Sequence, residues 1–175
     1  MGMHQFSELA DRSAAFTLNA LSEAQTRVLR ALQERGATTF VKSLQMVQLQ
    51  KVISAVGMFS IFEAMLQDGL NCSDGFRGAA EVLKQQGELD LKVRFEDLQL
   101  AINVLKHGRG RSYDALVSKG AALPFRVKFP HEDFFLEGDV GEVSTLVEVD
   151  NAFVIRCADV IREVSAVVGN AGHIL

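Results

Sequence analysis

Glu96, Gln99, Asn103 and His107 follow one another at three- and four-residue steps in the middle of the chain. At that spacing they share one face of a helix. Lys106 precedes the histidine, and Gly108-Arg109-Gly110-Arg111-Ser112-Tyr113 comes straight after it. A polar stripe therefore ends in an imidazole and a basic loop. An imidazole exchanges protons near neutral pH. Guanidinium groups beside it hold a phosphate and stabilise the charge that builds on it in a transition state. The sequence thus predicts an anion site at Lys106, His107, Arg109 and Arg111, with Ser112 and Tyr113 beside them. Such parts suffice for metal-independent RNA cleavage, in which a ribose 2′-hydroxyl attacks its own phosphate. They suffice equally for binding an anion with no chemistry, or for a histidine that only closes the last carbonyls of its helix.

Other mechanisms find no footing. A GxSxG elbow is absent. Gly108-Arg-Gly110 follows a helix where a phosphate loop would open one. His4, His107, His131 and His173 have no short spacing to one another or to a cysteine, so no metal and no cofactor is expected. Ser112 beside His107 has the composition of a dyad, but it is better placed as the N-cap of a helix beginning at Tyr113.

The elements that must position these groups are helices. Leu91, Phe95, Leu98, Ile102 and Leu105 recur at helical spacing and predict a buried stripe. Gly108 ends that helix. Upstream, residues 6–35 read as one helix or two stacked ones closed by Gly36, and Thr38 or Thr39 caps a second running to about residue 70. Its centre, residues 53–66, is apolar on nearly every face, as in a helix covered on both sides by its own chain or by a second subunit. Glu63 interrupts that centre: it lies on a solvent strip with Ser60 and Gln67, or it faces His107 or an arginine across the bundle. Ser73 or Asp74 caps a short helix over residues 76–86, and a brief helix over 113–118 follows the basic loop. Phe125, Val127 and Phe129 alternate between Pro124 and Pro130, an extended arm against which residues 143–149 pair as a small hairpin. Asp150 caps a last helix over 151–168, and Gly169 onward frays.

The fold class is therefore mainly α: an antiparallel helical bundle with long helices and a small extended or β-hairpin excursion near 124–149. One domain is expected over residues 1–175, with a core bundle at 6–118, an acidic excursion at 119–149 and a final helix at 150–168. An apolar content of 48% excludes a disordered chain, and a net charge of −4 argues against a sequence-blind nucleic-acid binder. Charge is nonetheless segregated. Residues 106–128 carry six lysines and arginines against one acid, Asp114, and residues 131–150 carry seven acids and no lysine or arginine. Either the acidic stretch folds back over the basic one or both are ordinary solvated faces. The N-terminus lacks the apolar core of a secretory signal, and no apolar run approaches bilayer length. Cys72 and Cys157 are expected as free thiols. These readings place the chain in the cytoplasm, with no membrane partner.

Asn103-Val-Leu-Lys-His107-Gly108, late on an amphipathic helix in an all-helical domain of this size, resembles the Asn-x-x-x-His core of HEPN-domain proteins, over residues 41–116. The stretch from Ile102 to Leu116 also resembles a motif of small uncharacterised bacterial helical proteins. The HEPN resemblance implies a helical-bundle homodimer with two motif copies facing across a cleft. In active members that cleft cuts RNA without metal, often in toxin–antitoxin or phage-defence settings. His107 would carry over as the catalytic histidine, Asn103 as the polar motif residue and Glu63 as the acidic residue of the preceding long helix. Active members place an arginine directly before the asparagine, where this chain has Ile102. Unless Arg109 or Arg111 supplies that charge, the resemblance implies a binding or regulatory module with RNA, a nucleotide-like anion or a protein as partner.

Overall fold

The computed structural model describes residues 2–35 and 38–171. Within them the chain forms α1 (Met3–Arg35), α2 (Thr38–Leu70), α3 (Gly75–Gln85), α4 (Leu89–His107), α5 (Arg111–Lys119) with a short 3₁₀ turn after it, and α6 (Asn151–Ala171). The fold is mainly α, as the periodicities predict. Residues 6–35 belong to one continuous helix, and Gly36 lies outside the described residues. α1 and α2 run antiparallel, with Phe6 stacked on Phe62 and the Met3 methyl 3.0 Å from where a Cβ of Gly69 would lie.

The core forms where the apolar faces of α2, α3 and α4 meet. Phe59, Phe62, Phe76 and Phe95 make a cluster with ring centroids 5.5–6.4 Å apart. The distances suit the edge-to-face and offset contacts that aromatic quadrupoles favour. One glycine makes the cluster possible. A Cβ on Gly75 would sit 2.5 Å from the Glu63 carbonyl oxygen and 2.9 Å from the Gln67 nitrogen. Only a residue without a side chain lets α3 start against the backbone of α2 and bring Phe76 inward.

α6 closes the bundle. Cys157, Val160, Ile161 and Val164 are fully buried on it, and burial pushes the Cys157 thiol far up, which makes it a packing residue with no reactivity. Asp150 caps α6 by accepting the Phe153 N–H at 2.7 Å, and Asp74 caps α3 by accepting the Arg77 N–H at 3.0 Å. α6 runs through Ala171, past the predicted end at 168. Arg162 on α6 reaches Asp11 on α1, so the first and last helices are tied by charge as well as by packing.

Two expectations about α2 need correction. The sequence suggested no apolar stretch of bilayer length, yet Thr38–Leu70 is long and apolar enough to cross a membrane, with a mean hydropathy of 1.4 over its most apolar window. Small and neutral polar residues break the apolar run without lowering that average much. Nor is its centre covered on every side. Ala55, Phe59, Phe62 and Leu66 are buried, while Met46, Leu49, Ile53 and Ile61 are each about half exposed. α2 also buries Lys51, an aliphatic stem among apolar neighbours whose amine is pushed down in pKa by burial, against the partial support of Asp150.

The predicted hairpin survives as a single antiparallel bridge between Val127 and Val147. Lys128 N–H donates to Leu146 O at 2.8 Å and Glu148 N–H to Arg126 O at 3.0 Å. The intervening residues are held by side chains instead of by a ladder, for reasons that bear on the site below.

Candidate functional site: the basic corner between α4 and α5

α4 presents its stripe as expected. Leu91, Phe95, Leu98 and Ile102 are buried, and Ala101, Val104 and Asp97 widen the face. Ile102 is 2% exposed, so the residue before Asn103 packs in the core and reaches no ligand. Gly108 then turns the chain at φ 75°, a left-handed value natural to glycine, and its N–H closes the Val104 carbonyl at 2.8 Å.

That closure leaves His107 without a capping task. Its side chain is exposed and, among the described residues, neither it nor the half-buried Asn103 makes a side-chain hydrogen bond. The capping role open to a last-turn histidine is not taken up. Lys106, Arg109 and Arg111 are exposed too, and none pairs with a carboxylate among the described residues. The guanidinium of Arg109 lies 5.6 Å over the Tyr113 ring, a cation–π contact that holds it near the corner.

α5 begins at Arg111, two residues ahead of the predicted start, with Gly110 at the N-cap position and no side-chain cap. This corrects the reading of Ser112 as the cap: it sits inside the first turn, where its hydroxyl is half-buried. The first N–H groups of α5 thus have no side-chain acceptor among the described residues and lie at the positive end of the helix dipole. Lys106, His107, Arg109 and Arg111 all lie within five residues of that start along the chain. Asp114, in the first turn, is the only acid in this stretch.

Tyr113 needs a second correction. It is 3% exposed, and its hydroxyl donates to the Lys128 carbonyl at 2.8 Å. It anchors the excursion to α5 and offers a ligand nothing but the support it gives Arg109. Glu63 needs a third. Phe62 meets Phe95 near the start of α4, which puts its neighbour Glu63 about 18 Å of helix rise from His107. Within one chain the two do not meet, and Glu63 makes no hydrogen bond or ion pair.

The acidic stretch does fold back, but onto other cations. Lys128 is buried, donates to Glu142 at 2.7 Å and to Asp133 O at 2.9 Å, and lies 4.5 Å over the Phe135 ring. The second Glu142 oxygen accepts the Phe135 and Leu136 N–H groups at 2.9 and 3.3 Å. Burial alone would raise the Glu142 carboxyl, but the Lys128 bond and these two backbone donors outweigh it and hold it below the ordinary carboxylate range. Arg126 reaches Glu132 and the Phe135 carbonyl, and Glu132 accepts the Phe129 N–H at 2.8 Å. That backbone bond, followed by Arg126, keeps the Glu132 carboxyl low as well. The screening therefore stops at Arg126 and Lys128.

One further pair escaped the sequence reading. Asp97 is 6% exposed and binds Lys119, which fixes the end of α5 to α4 and so sets the angle of the corner. Its signal was available: Asp97, Ala101 and Val104 share a face of α4 at four- and three-residue steps.

Chemically, the corner can hold an anion by charge and by backbone N–H groups together. No group of three or more His, Cys, Asp or Glu side chains suited to a metal ion occurs among the described residues. Compared with protein-family models, curated proteins and solved structures, the chain matches none of them.

Proposed function

We infer that the α4–α5 corner binds the phosphates of single-stranded RNA, and that the chain is a HEPN-like binding or regulatory module that does not cleave what it holds. The observation carrying this reading is that Lys106, Arg109 and Arg111 are exposed, have no carboxylate partner among the described residues, and sit where the chain enters the uncapped start of α5. Two features speak for binding over cleavage. The position before Asn103 is a buried isoleucine, so no arginine stands where active HEPN ribonucleases have one. Of the stand-ins, Arg109 lies on an exposed turn and Arg111 is exposed at the first position of α5, and Glu63 is remote from His107. A cleaving site needs charge fixed where it develops.

The test is binding of a labelled single-stranded RNA followed by anisotropy over a salt series, with intact RNA checked on a gel in EDTA. Three phosphate contacts predict a slope of log affinity on log salt of about −2, each contact contributing about −0.7 on a single strand. Arg109→Ala/Arg111→Ala should flatten the slope to about −0.7 and weaken binding at least tenfold at low salt. Binding unchanged in that variant would defeat the reading. RNA cut to a 2′,3′-cyclic phosphate by the wild type, and left whole by His107→Ala, would replace it with the ribonuclease.

A further inference from the structure

α2 carries an uncovered face with the pattern of a self-pairing surface. Met46, Leu49, Ile53 and Ile61 are 48–55% exposed, on the side of the helix away from Phe59 and Phe62. Successive positions from 42 to 68 along this face lie three or four residues apart, so they form one stripe about 39 Å long. Its two ends are charged and opposite: Lys42 at the start and Asp68 at the finish, both exposed and, among the described residues, without an ion-pair partner.

We propose that this face is the interface of a homodimer in which two copies of α2 pack antiparallel about a two-fold axis that crosses the exposed face midway between Ile53 and Gly57. The register follows from the residues. A two-fold axis there sets Lys42 of one copy against Asp68 of the other, and repeats that pair at the far end. It sets Met46 against Ala64 and Ile53 against Gly57, large against small in both cases. A Cβ on Gly57 would meet nothing within 4 Å in its own chain, so the glycine leaves a notch open to the partner's Ile53. Leu49 meets Ile61. Shifting the register by one helical turn in either direction loses the charge pairing at both ends and takes Ile53 out of the Gly57 notch.

Area sets the strength. A strip about 39 Å long and roughly 10 Å wide gives about 400 Å² per copy, half of the ~800 Å² per partner found in stable complexes. The dimer is therefore reversible, with a dissociation constant on the order of micromolar or weaker. It also differs in kind from the arrangement that the HEPN resemblance implies. α4 packs on the opposite face of α2, through Phe59 and Phe62 against Phe95. The two His107 corners are held apart, each free to bind its own ligand. The dimer stands independently of the RNA reading.

Sedimentation velocity of the full chain across roughly 1 µM to 1 mM, at low salt, tests it. Wild type should pass from monomer to dimer, and Ile53→Asp, an exposed change checked for helicity, should stay monomeric with at least a hundredfold weaker association. Lys42→Glu and Asp68→Lys should each weaken the dimer about tenfold by placing like charges at both ends. Mixing those two variants should restore it, because every end then pairs opposite charges. A wild type monomeric throughout would overturn the proposal. So would a dimer indifferent to Ile53→Asp, a mixture no tighter than its components, or a wild type that co-sediments with phosphatidylcholine/phosphatidylglycerol vesicles while Ile53→Asp does not.

Discussion

The excursion between α5 and α6 and the corner between α4 and α5 carry cations in similar number and use them in opposite ways. In the excursion every cation is matched. Lys128 meets Glu142, a carbonyl and an aromatic face, and Arg126 meets Glu132 and a carbonyl. At the corner Lys106, Arg109 and Arg111 meet no carboxylate among the described residues. Local basicity does not separate the two, since six basic residues run through both in sequence. What separates them is whether the charge is already satisfied. A matched cation holds the chain together, and an unmatched one is available to a ligand.

The contrast predicts effects in separate observables. Glu142→Ala should cost the most stability, about 3–5 kcal/mol, because it strands the buried Lys128 and frees two backbone donors. Urea unfolding measures it. The same bond gives a pH signature. The Glu142 carboxyl is depressed in the folded state, so its contribution is full above the ordinary carboxylate pKa and is lost as pH falls through the folded value. Stability should fall on acidification in the wild type and less steeply in Glu142→Ala. Arg109→Ala/Arg111→Ala should do the reverse, leaving unfolding within about 0.5 kcal/mol of wild type while RNA affinity falls. Tyr113→Phe lies at the boundary of the two regions. Losing its hydroxyl bond to Lys128 O should cost about 1 kcal/mol in the unfolding transition. RNA affinity should hold, because the ring under Arg109 remains. The smallest effect is expected at Lys51, whose amine is destabilised by burial. Lys51→Met should raise the melting temperature by a degree or two, a gain of about 0.5 kcal/mol. The sign follows from linkage: a lysine depressed in the folded state makes the wild type gain stability as pH rises through the folded pKa toward 10.5, and the variant should not.

How much of this was legible in the sequence depends on how far apart the interacting residues lie. The Asp74 and Asp150 caps and the Gly108 turn are set within four residues, and local spacing finds them. The buried stripe of α4 follows from periodicity in the same way. Lys128–Glu142, Asp97–Lys119 and the Tyr113 anchor span 14, 22 and 15 residues. Nothing local marks Lys128 as a buried charge or Tyr113 as an inward ring. The site suffered accordingly: its cations were found from spacing, but Ser112 and Tyr113 were misassigned, and Glu63 stayed open between a solvent strip and His107, because helix start, ring direction and relative height are tertiary properties. Whether its own chain or a second subunit covers each side of α2 stayed open for a related reason. A helix apolar on most sides reads as buried on all of them, and only the placement of its neighbours shows which side is bare.

The glycine at the start of α3 also orders events in time. Phe59, Phe76 and Phe95 lie close together in the chain, and Gly75 lets them meet with little loop to close. Contacts of shorter sequence separation form faster, so α2, α3 and α4 are expected to nucleate folding, with φ-values higher at Phe76 and Phe95 than on α1. The tie between Asp11 and Arg162, 151 residues apart, belongs to the slow end of the same process.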